Sequence, residues 1–416
     1  MLELPSIKGV LDAAIRLKDI CNTPPLELNK RLSSLTGASV FLKREDLQQV
    51  RSFKIRGAFN KIDSLTQSER KNGIICASAG NHAQGFAFAC NQLKIYGEVY
   101  MPVNCSQQKV SRVKMFGGQY VKTVLEGDTY DECQKIALEN SNRKFKTFIH
   151  PFDDLKVIEG QATVALEMLN QNEKGFDYVI VPIGGGGLIS GIITVFKELS
   201  PNTKIIGAEP QGAQSMKQSL KKRKRISLEE MDHFVDGAAV RQVGKLSFEI
   251  CKPYLKKVIS VPEGKICQVI LDLYNKEGIV TEPAGALSIA ALDLLDFDIK
   301  GKTVGVLLCG GNNDILRIPE IKERALLYAN LKHYFLIDFP QRSGALKQFV
   351  TEVLGTNDDI THFEFSKTKF SNIAPAVVGI ELNSADDLKD IIDRMKMHKF
   401  KFEYLNEKEK LFRFLI

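Results

Sequence analysis

A lysine stands where simple electrostatics would not put one. In Ser52–Ala58, SFKIRGA, Lys54 lies between Phe53 and Ile55, just after Ser52, a residue type able to cap a helix. The N-terminal end of a helix carries partial positive charge and disfavours an ammonium group. Apolar neighbours disfavour it further, and both effects lower the amine pKa. A neutral amine is a base and a nucleophile, so the placement suits a lysine that forms an imine with a carbonyl. The ordinary alternative is a lysine whose stem lies along apolar surface with its charge in water.

A second feature narrows the chemistry. IVPIGGGGLISG sets four glycines, Gly184–Gly187, between an apolar strand-like run and a helix-like run. Without Cβ atoms, successive N–H groups turn toward one anion at the positive end of a helix, which makes a phosphate cup. A tight strand–helix turn alone needs one or two glycines. The run lacks the Gly-Lys-Ser/Thr ending of a nucleotide P-loop. It also fits no GxGxxG, although Gly185, Gly187 and Gly191 give a looser GxGxxxG and Glu209 ends the next strand. On this motif alone a dinucleotide-dependent oxidoreductase stays open. A phosphate-bearing cofactor beside an imine-forming lysine points to pyridoxal phosphate.

The elements that must position these groups alternate. From about residue 70, GIICASA, YGEVYMP, QYVKTVL and KTFIHPF read as strands, with helices HAQGFAFACNQL, QKVSRVKMFG and TYDECQKIALENS between them. The pattern resumes with DYVIVPI, LISGIITVFKEL, TKIIGAEP, TEPAGALSIAALDLL and TVGVLLCGGNND. Such alternation predicts parallel sheets covered on both faces, with ligands at the carboxyl ends of strands. Three loops fall there: Ser78–Gly85, Gly184–Gly187 and Cys309–Asn313. After about residue 325, HYFLIDFP, DITHFEFSKT, APAVVGIELNS and FKFEYL alternate with two amphipathic helices, a βαββαβ pattern like a ferredoxin-like sandwich.

Composition sets the class. The 416 residues are 44% hydrophobic and 26% charged, with net charge +7, as in an ordinary soluble globular protein. The basic run Lys221–Arg225 has no interleaved aromatics, which argues against nucleic acid and for a solvated loop. Eight cysteines without CxxC or CxxH spacing argue against a zinc site or disulfide framework and suggest reduced thiols in a cytoplasm. The N-terminal segment reads as an amphipathic helix, not a signal peptide, and no apolar run has membrane-spanning length. Of the histidines only His82 lies in a motif, and a structural place in its loop is the simpler reading, since Lys54 can act as base; His150, His233, His333, His362 and His398 lack metal-ligand spacing.

Several motifs in order, SFKIRGA, SAGNHAQG, VPIGGGGLISG, TEPAGA and CGGNND, resemble those of threonine dehydratases, fold-type II pyridoxal-phosphate enzymes of the tryptophan-synthase-β-like group. NTPPLELN, FLKREDLQ and HPFDD extend the resemblance, and FPQRSGALKQF with LGTNDDITHFEFSK and VGIEL resembles the ACT-like domain of the biosynthetic type. The resemblance implies an α/β catalytic domain of two open, twisted parallel-sheet lobes over residues 1–324, the small lobe of about 45–150 inserted in the larger. An α+β ACT-like domain over 325–416 follows.

It further implies that Lys54 holds pyridoxal phosphate and acts as the base at the substrate Cα. Asn81 meets the cofactor 3′-oxygen, and Gly184, Gly185, Gly186, Gly187 and Leu188 hold its phosphate. Phe53 packs on the ring, Glu282 lies near it, and Cys309 lies near the ring nitrogen. Ser78, Ala79, Gly80, Asn81 and His82 take the substrate carboxylate. The implied reaction is β-elimination on L-threonine, giving 2-oxobutanoate and ammonia, with L-serine as a side substrate. In the tail, Arg342, Ser343, Gly344, Ala345 and Leu346 are implied in binding isoleucine, and possible valine binding goes with them; the assembly implied is a cytoplasmic homotetramer.

Departures carry their own expectations. Cys309 replaces a common serine and offers a weaker hydrogen bond. Ala79 stands where serine racemases place a second acid group, which favours dehydration over racemisation. Glu209 and Ala213 match a divalent-metal site of those relatives, but Ser215 replaces its aspartate, so no metal is expected. Ser343 replaces a usual proline. The rivals are a catabolic serine/threonine dehydratase of the same group, an oxidoreductase, and an amino-acid sensor with an inactive catalytic domain.

Overall fold

The computed structural model describes residues 3–365 and 373–408. The chain divides into two compact units, one ending at Asp314 and the other beginning at Ile315. A boundary at 324 would cut the continuous helix Ile318–Tyr328, which falls in the second unit.

The first unit carries, in chain order, β1 (Leu26–Leu28), β2 (Ser39–Arg44), β3 (Ile74–Ala77), β4 (Gly97–Met101), β5 (Val121–Leu125), β6 (Thr147–Phe148), β7 (Tyr178–Pro182), β8 (Lys204–Pro210), β9 (Lys257–Val261) and β10 (Thr303–Leu308). One sheet has the order β1-β2-β10-β7-β8-β9 and the other β5-β4-β3-β6. Ile74, Ile75, Cys76 and Ala77 of β3 are buried, as are Val179 to Val181 of β7 and Val304 to Leu308 of β10. Continuous apolar strands of this kind belong in parallel sheets covered on both faces. The smaller sheet is parallel throughout. The larger is parallel except at its edge, where β1 runs antiparallel to β2. That edge departs from the expected parallel lobe because Asn29–Ala38 is too short for a parallel crossover.

β2, β10 and β7 are neighbours and parallel, so the chain leaves all three at one side. The Lys54 segment, Cys309–Asn313 and Gly184–Gly187 follow those strand ends. The Ser78–Gly85 loop follows β3, an inner strand of the smaller sheet.

The helix Leu155–Gln171 fixes these loops relative to one another. It lies between the helix Lys54–Asp63, which begins at the lysine, and the helix Gly187–Leu199, which begins at the glycine run. Contact is backbone to backbone. A Cβ on Gly160 would lie 2.6 Å from the Arg56 carbonyl oxygen, and one on Gly191 would lie 2.7 Å from the Ala162 nitrogen.

A buried ionic cluster pins the same helix to β2. The Arg56 guanidinium donates to both Glu45 oxygens at 2.9 and 2.8 Å and to both Glu167 oxygens at 2.6 and 2.8 Å. Lys43, inward-facing on β2, donates to Glu167 at 2.6 Å, to the Pro24 carbonyl at 2.6 Å and to Gln171 at 3.0 Å. Two cations thus meet two carboxylates, and Lys43, Arg56 and Glu45 are buried.

Two local expectations change. Ser52 does not cap the Lys54 helix; Phe53 occupies the cap position, and the Ser52 hydroxyl is buried without a partner. The run Lys221–Arg225 begins inside the helix Ser215–Lys222, where cations complement the carbonyl end.

In the second unit, β11 (Lys332–Pro340), the helix Ala345–Glu352, β12 (Asp359–Phe365), β13 (Ile373–Glu381), the helix Asp387–Met397 and β14 (Lys401–Tyr404) follow in turn. The sheet order is β12-β13-β11-β14, antiparallel throughout, which is the ferredoxin-like arrangement. Its core is its own: Phe339 meets Phe349 and Phe400 at ring distances of 5.3 and 5.6 Å, with Phe335, Ile391 and Met395 around them. Ser366–Thr368, expected to extend β12, lie outside the described residues.

Replacing Arg56 by methionine leaves Glu45 buried without its cation, a loss of about 3–5 kcal/mol. Urea denaturation followed by circular dichroism should show the first unit unfolding at markedly lower denaturant; an unchanged midpoint would show that the cluster does not support this fold.

Candidate active site

Lys54 opens its helix with its side chain held at depth. Its Nζ donates to the Pro151 carbonyl at 2.8 Å and lies 5.4 Å from the Phe53 ring centre. The chain reaches it through Arg51, a non-glycine residue in the left-handed region (φ 57°), whose carbonyl accepts from the Gly311 N–H at 2.9 Å. The Phe53 N–H donates to the Cys309 carbonyl at 3.2 Å. Lys54 is therefore sewn to the β10 loop on one side and to Pro151 on the other. Burial lowers its pKa from 10.5 to about 8, opposed by Cys309 and Glu282.

Phe152, next to Pro151, forms the floor under the glycine run. A Cβ on Gly185 would overlap its ring at 2.2 Å. Gly186 has φ 93°, where L residues are strained, and a Cβ there would meet Ser247. The run thus packs tightly below while the first-turn N–H groups of the Gly187–Leu199 helix lack intrahelical partners. Beside Gly186 the Ser247 hydroxyl is buried with no partner.

On the opposite side, Asn81 starts the helix Asn81–Leu93. Its Nδ2 donates to Glu282 Oε1 at 2.5 Å and its Oδ1 accepts from Asn312 Nδ2 at 2.7 Å. Burial raises the Glu282 pKa to about 7, with Asp236 adding to the effect and the Asn81 hydrogen bond opposing it. Cys309, buried, donates through Sγ to the Ala284 carbonyl at 3.3 Å. In the Ser78–His82 loop the Gly80 N–H donates to the Ser78 hydroxyl at 3.1 Å, and Gly80 faces open space. Leu188 is buried in the first turn of its helix.

Two histidines lie near the lysine, both held neutral. His82 Nε2 pairs with the Ile149 carbonyl at 3.0 Å, and burial followed by the Lys54 charge lowers its pKa to about 3. His150 Nδ1 accepts from the Phe152 and Asp153 N–H groups at 3.3 and 2.8 Å, and burial lowers its pKa to about 4. Glu209 is fully buried and accepts from the Met216 and Lys217 N–H groups at 2.7 and 2.9 Å. Both its oxygens thus cap a helix, which removes the ribose contact an oxidoreductase would need.

Pro151, Phe152, Ser247 and Asn312 belong to this site although the residues alone did not single them out. KTFIHPF reads as a strand through Phe152, but β6 stops at Phe148, which leaves HPFDD as its strand-end loop.

Comparison with known proteins agrees with this geometry. Residues 17–310 match the family described as "Pyridoxal-phosphate dependent enzyme", and residues 323–415 match "C-terminal regulatory domain of Threonine dehydratase". The chain is 51% identical over 410 residues to "L-threonine dehydratase biosynthetic IlvA" of Halalkalibacterium halodurans, covering 99% of each chain. The chain belongs to the threonine dehydratases. A relative of the same name from Bacillus subtilis is 47% identical over 413 residues, covering 99% of this chain and 98% of the other. The processed form of threonine deaminase isoform 2 from Solanum lycopersicum superposes with a TM-score of 0.72 at 37% identity, covering 78% of this chain and 90% of that one. The enzyme is a pyridoxal-phosphate-dependent lyase with an α/β catalytic unit and a C-terminal regulatory unit. Among the described residues no helix is long and apolar enough to cross a membrane.

The donor set fits that cofactor: amide N–H groups and an unpartnered hydroxyl for a phosphate ester, an amide N–H for a ring oxygen, and a half-buried amine for an aldehyde. At pH 7.5 an amine with a pKa near 8 is neutral in roughly a quarter of molecules, against about one in a thousand at 10.5. Covalent capture of pyridoxal phosphate by the cofactor-free enzyme should therefore accelerate about tenfold per pH unit below pH 8 and level off above it. Stopped-flow absorbance measures this, and a rise continuing to pH 10 would show an unshifted lysine.

Proposed function

We propose that the enzyme converts L-threonine to 2-oxobutanoate and ammonia, with L-serine as a slower substrate. The observation that carries the reading is the half-buried Lys54 amine, held at 2.8 Å from the Pro151 carbonyl where three strand-end loops meet. Gly184–Gly187 and Leu188 bind the cofactor phosphate, Asn81 donates to its 3′-oxygen, and Phe53 packs on its ring. Glu282 lies near the ring, and Cys309 lies near its nitrogen. When bound, pyridoxal phosphate withdraws electrons from the substrate Cα.

The chain supplies the rest. Ser78 and the N–H groups of Ala79 to His82 take the substrate carboxylate, where the helix dipole favours an anion. Lys54, neutral, accepts the Cα proton. The Cβ–O bond breaks and the hydroxyl leaves as water, taking up one proton that balances the one Lys54 removed from Cα; hydrolysis of the released enamine, after tautomerisation, regains one water and gives ammonia. Ala79 offers no acid on the opposite face, which favours elimination over racemisation. With Cys309 hydrogen-bonded to Ala284, the ring nitrogen faces no carboxylate from that position.

In the regulatory unit, the segment Arg342–Leu346 is a turn up to Gly344 (φ 82°), which caps the helix Ala345–Glu352, and then that helix's first two residues; Arg342, Ser343 and Leu346 are exposed, and Ala345 is buried. Arg342 donates to Gln348 at 2.6 Å. This turn is part of an isoleucine site, and binding there lowers the rate of the first step of isoleucine formation. Valine binds the same turn, and the enzyme acts as a cytoplasmic homotetramer.

Lys54→Ala should lower threonine turnover by more than about a thousandfold and abolish the visible band of the bound cofactor. A coupled 2-oxobutanoate assay decides the substrate; turnover of serine but not threonine would refute it. Isoleucine added to the assay should slow the rate, and indifference at millimolar concentration would remove the feedback role.

A further inference from the structure

The oxygen and nitrogen of an asparagine amide are nearly the same size, so packing does not choose between its two orientations; hydrogen-bond partners do. Asn81 works as a cofactor donor only if its nitrogen faces the site. Two neighbours orient it: Glu282 accepts from its nitrogen, and Asn312 donates to its oxygen, with Asn312 itself oriented by groups that can hydrogen-bond in only one sense.

Arg112 lies on the helix Gln107–Gly117 of the smaller lobe, whose Val110 and Val113 sit in that lobe's core. Its Nη1 donates to Asn312 Oδ1 at 2.6 Å. A guanidinium has no acceptor, so Asn312 must turn its oxygen toward Arg112. The Val50 carbonyl has no donor, and Asn312 Nδ2 faces it at 2.8 Å. Both neighbours demand the same orientation. The Asn312 amide nitrogen therefore also donates to Asn81 Oδ1 at 2.7 Å, which leaves Asn81 Nδ2 facing Glu282 at 2.5 Å.

The same helix makes further contacts with the larger lobe. Lys109 pairs with Asp236 at 2.7 Å, and Gln108 lies against Asp314, where turning its amide over would bring the nitrogen within 3.0 and 3.1 Å of the two carboxylate oxygens.

We propose that Arg112 and Asn312 are positioning residues that fix the Asn81 amide with its nitrogen toward the cofactor, so that docking of the smaller lobe's helix sets the polarity of this contact. The inference rests on Asn81 as the donor to the cofactor 3′-oxygen. Removing the Arg112 donor leaves the Val50 carbonyl alone to orient Asn312 and weakens the hold on Asn81, which then spends part of its time with its oxygen toward the cofactor, where two acceptors meet.

The test is a double-mutant cycle read by the dissociation constant of pyridoxal phosphate, measured by equilibrium dialysis of the full chain. Arg112→Met should weaken cofactor binding by about three- to tenfold, the value of one hydrogen bond, and shift the visible band. Arg112→Lys, which keeps a donor, should stay within about twofold. Asn81→Ala should weaken binding by about tenfold or more, and Arg112→Met added to it should cost nothing further. Equal melting temperatures in the cofactor-free state separate positioning from unfolding. Normal affinity in Arg112→Met beside a weakened Asn81→Ala, or losses that multiply in the double mutant, would overturn the relay alone. An Asn81→Ala protein with normal affinity would overturn the assignment beneath it.

Discussion

Arg56 is 1% exposed, and its guanidinium is divided between two carboxylates that arrive from different parts of the chain. Burying Lys43, Glu45 and Arg56 costs several kcal/mol per ion, and apolar residues of equal volume would often hold as well. What apolar packing lacks is direction. A planar guanidinium held by two carboxylates fixes how a helix is rotated about its own axis. Arg56 stands two residues beyond Lys54, about 200° round the helix at the usual turn per residue. One face is therefore clamped to Glu45 and Glu167, and the other presents the lysine to the site. Gly160 and Gly191 complete the constraint by letting neighbouring backbones touch.

The site that results is built from groups that shed their charge. Lys54, His82, His150 and Glu282 are each moved by burial toward the neutral form. With those charges disfavoured, the N–H groups at the starts of the helices Asn81–Leu93 and Gly187–Leu199 supply a standing positive potential that does not depend on protonation. The arrangement also explains why a lysine tolerates a helix start: it need not remain an ammonium there.

How much of this could be read from residues follows a physical line. β3, β7 and β10 were plain because strands buried on both faces are apolar throughout. β2, which delivers the Lys54 segment, was not recognised because Lys43 and Arg44 end it, and the burial of Lys43 depends on Glu167 and Gln171, more than a hundred positions away. The glycine run and the lysine announce their chemistry through local strings. The contact between Arg112 and Asn312 joins residues 200 positions apart and leaves no local pattern. Ser52 looked like a cap by type, but cap formation depends on backbone angles and side-chain direction, and its hydroxyl points into the interior.

The aromatic cluster around Phe339 belongs wholly to the regulatory unit. A unit that buries its own rings answers to its own selection. Arg342, Ser343 and Leu346 are exposed beside that cluster's Phe349 helix, so substitutions there leave the unit's own core intact. Over evolutionary time such a unit can be gained, duplicated or lost as a piece.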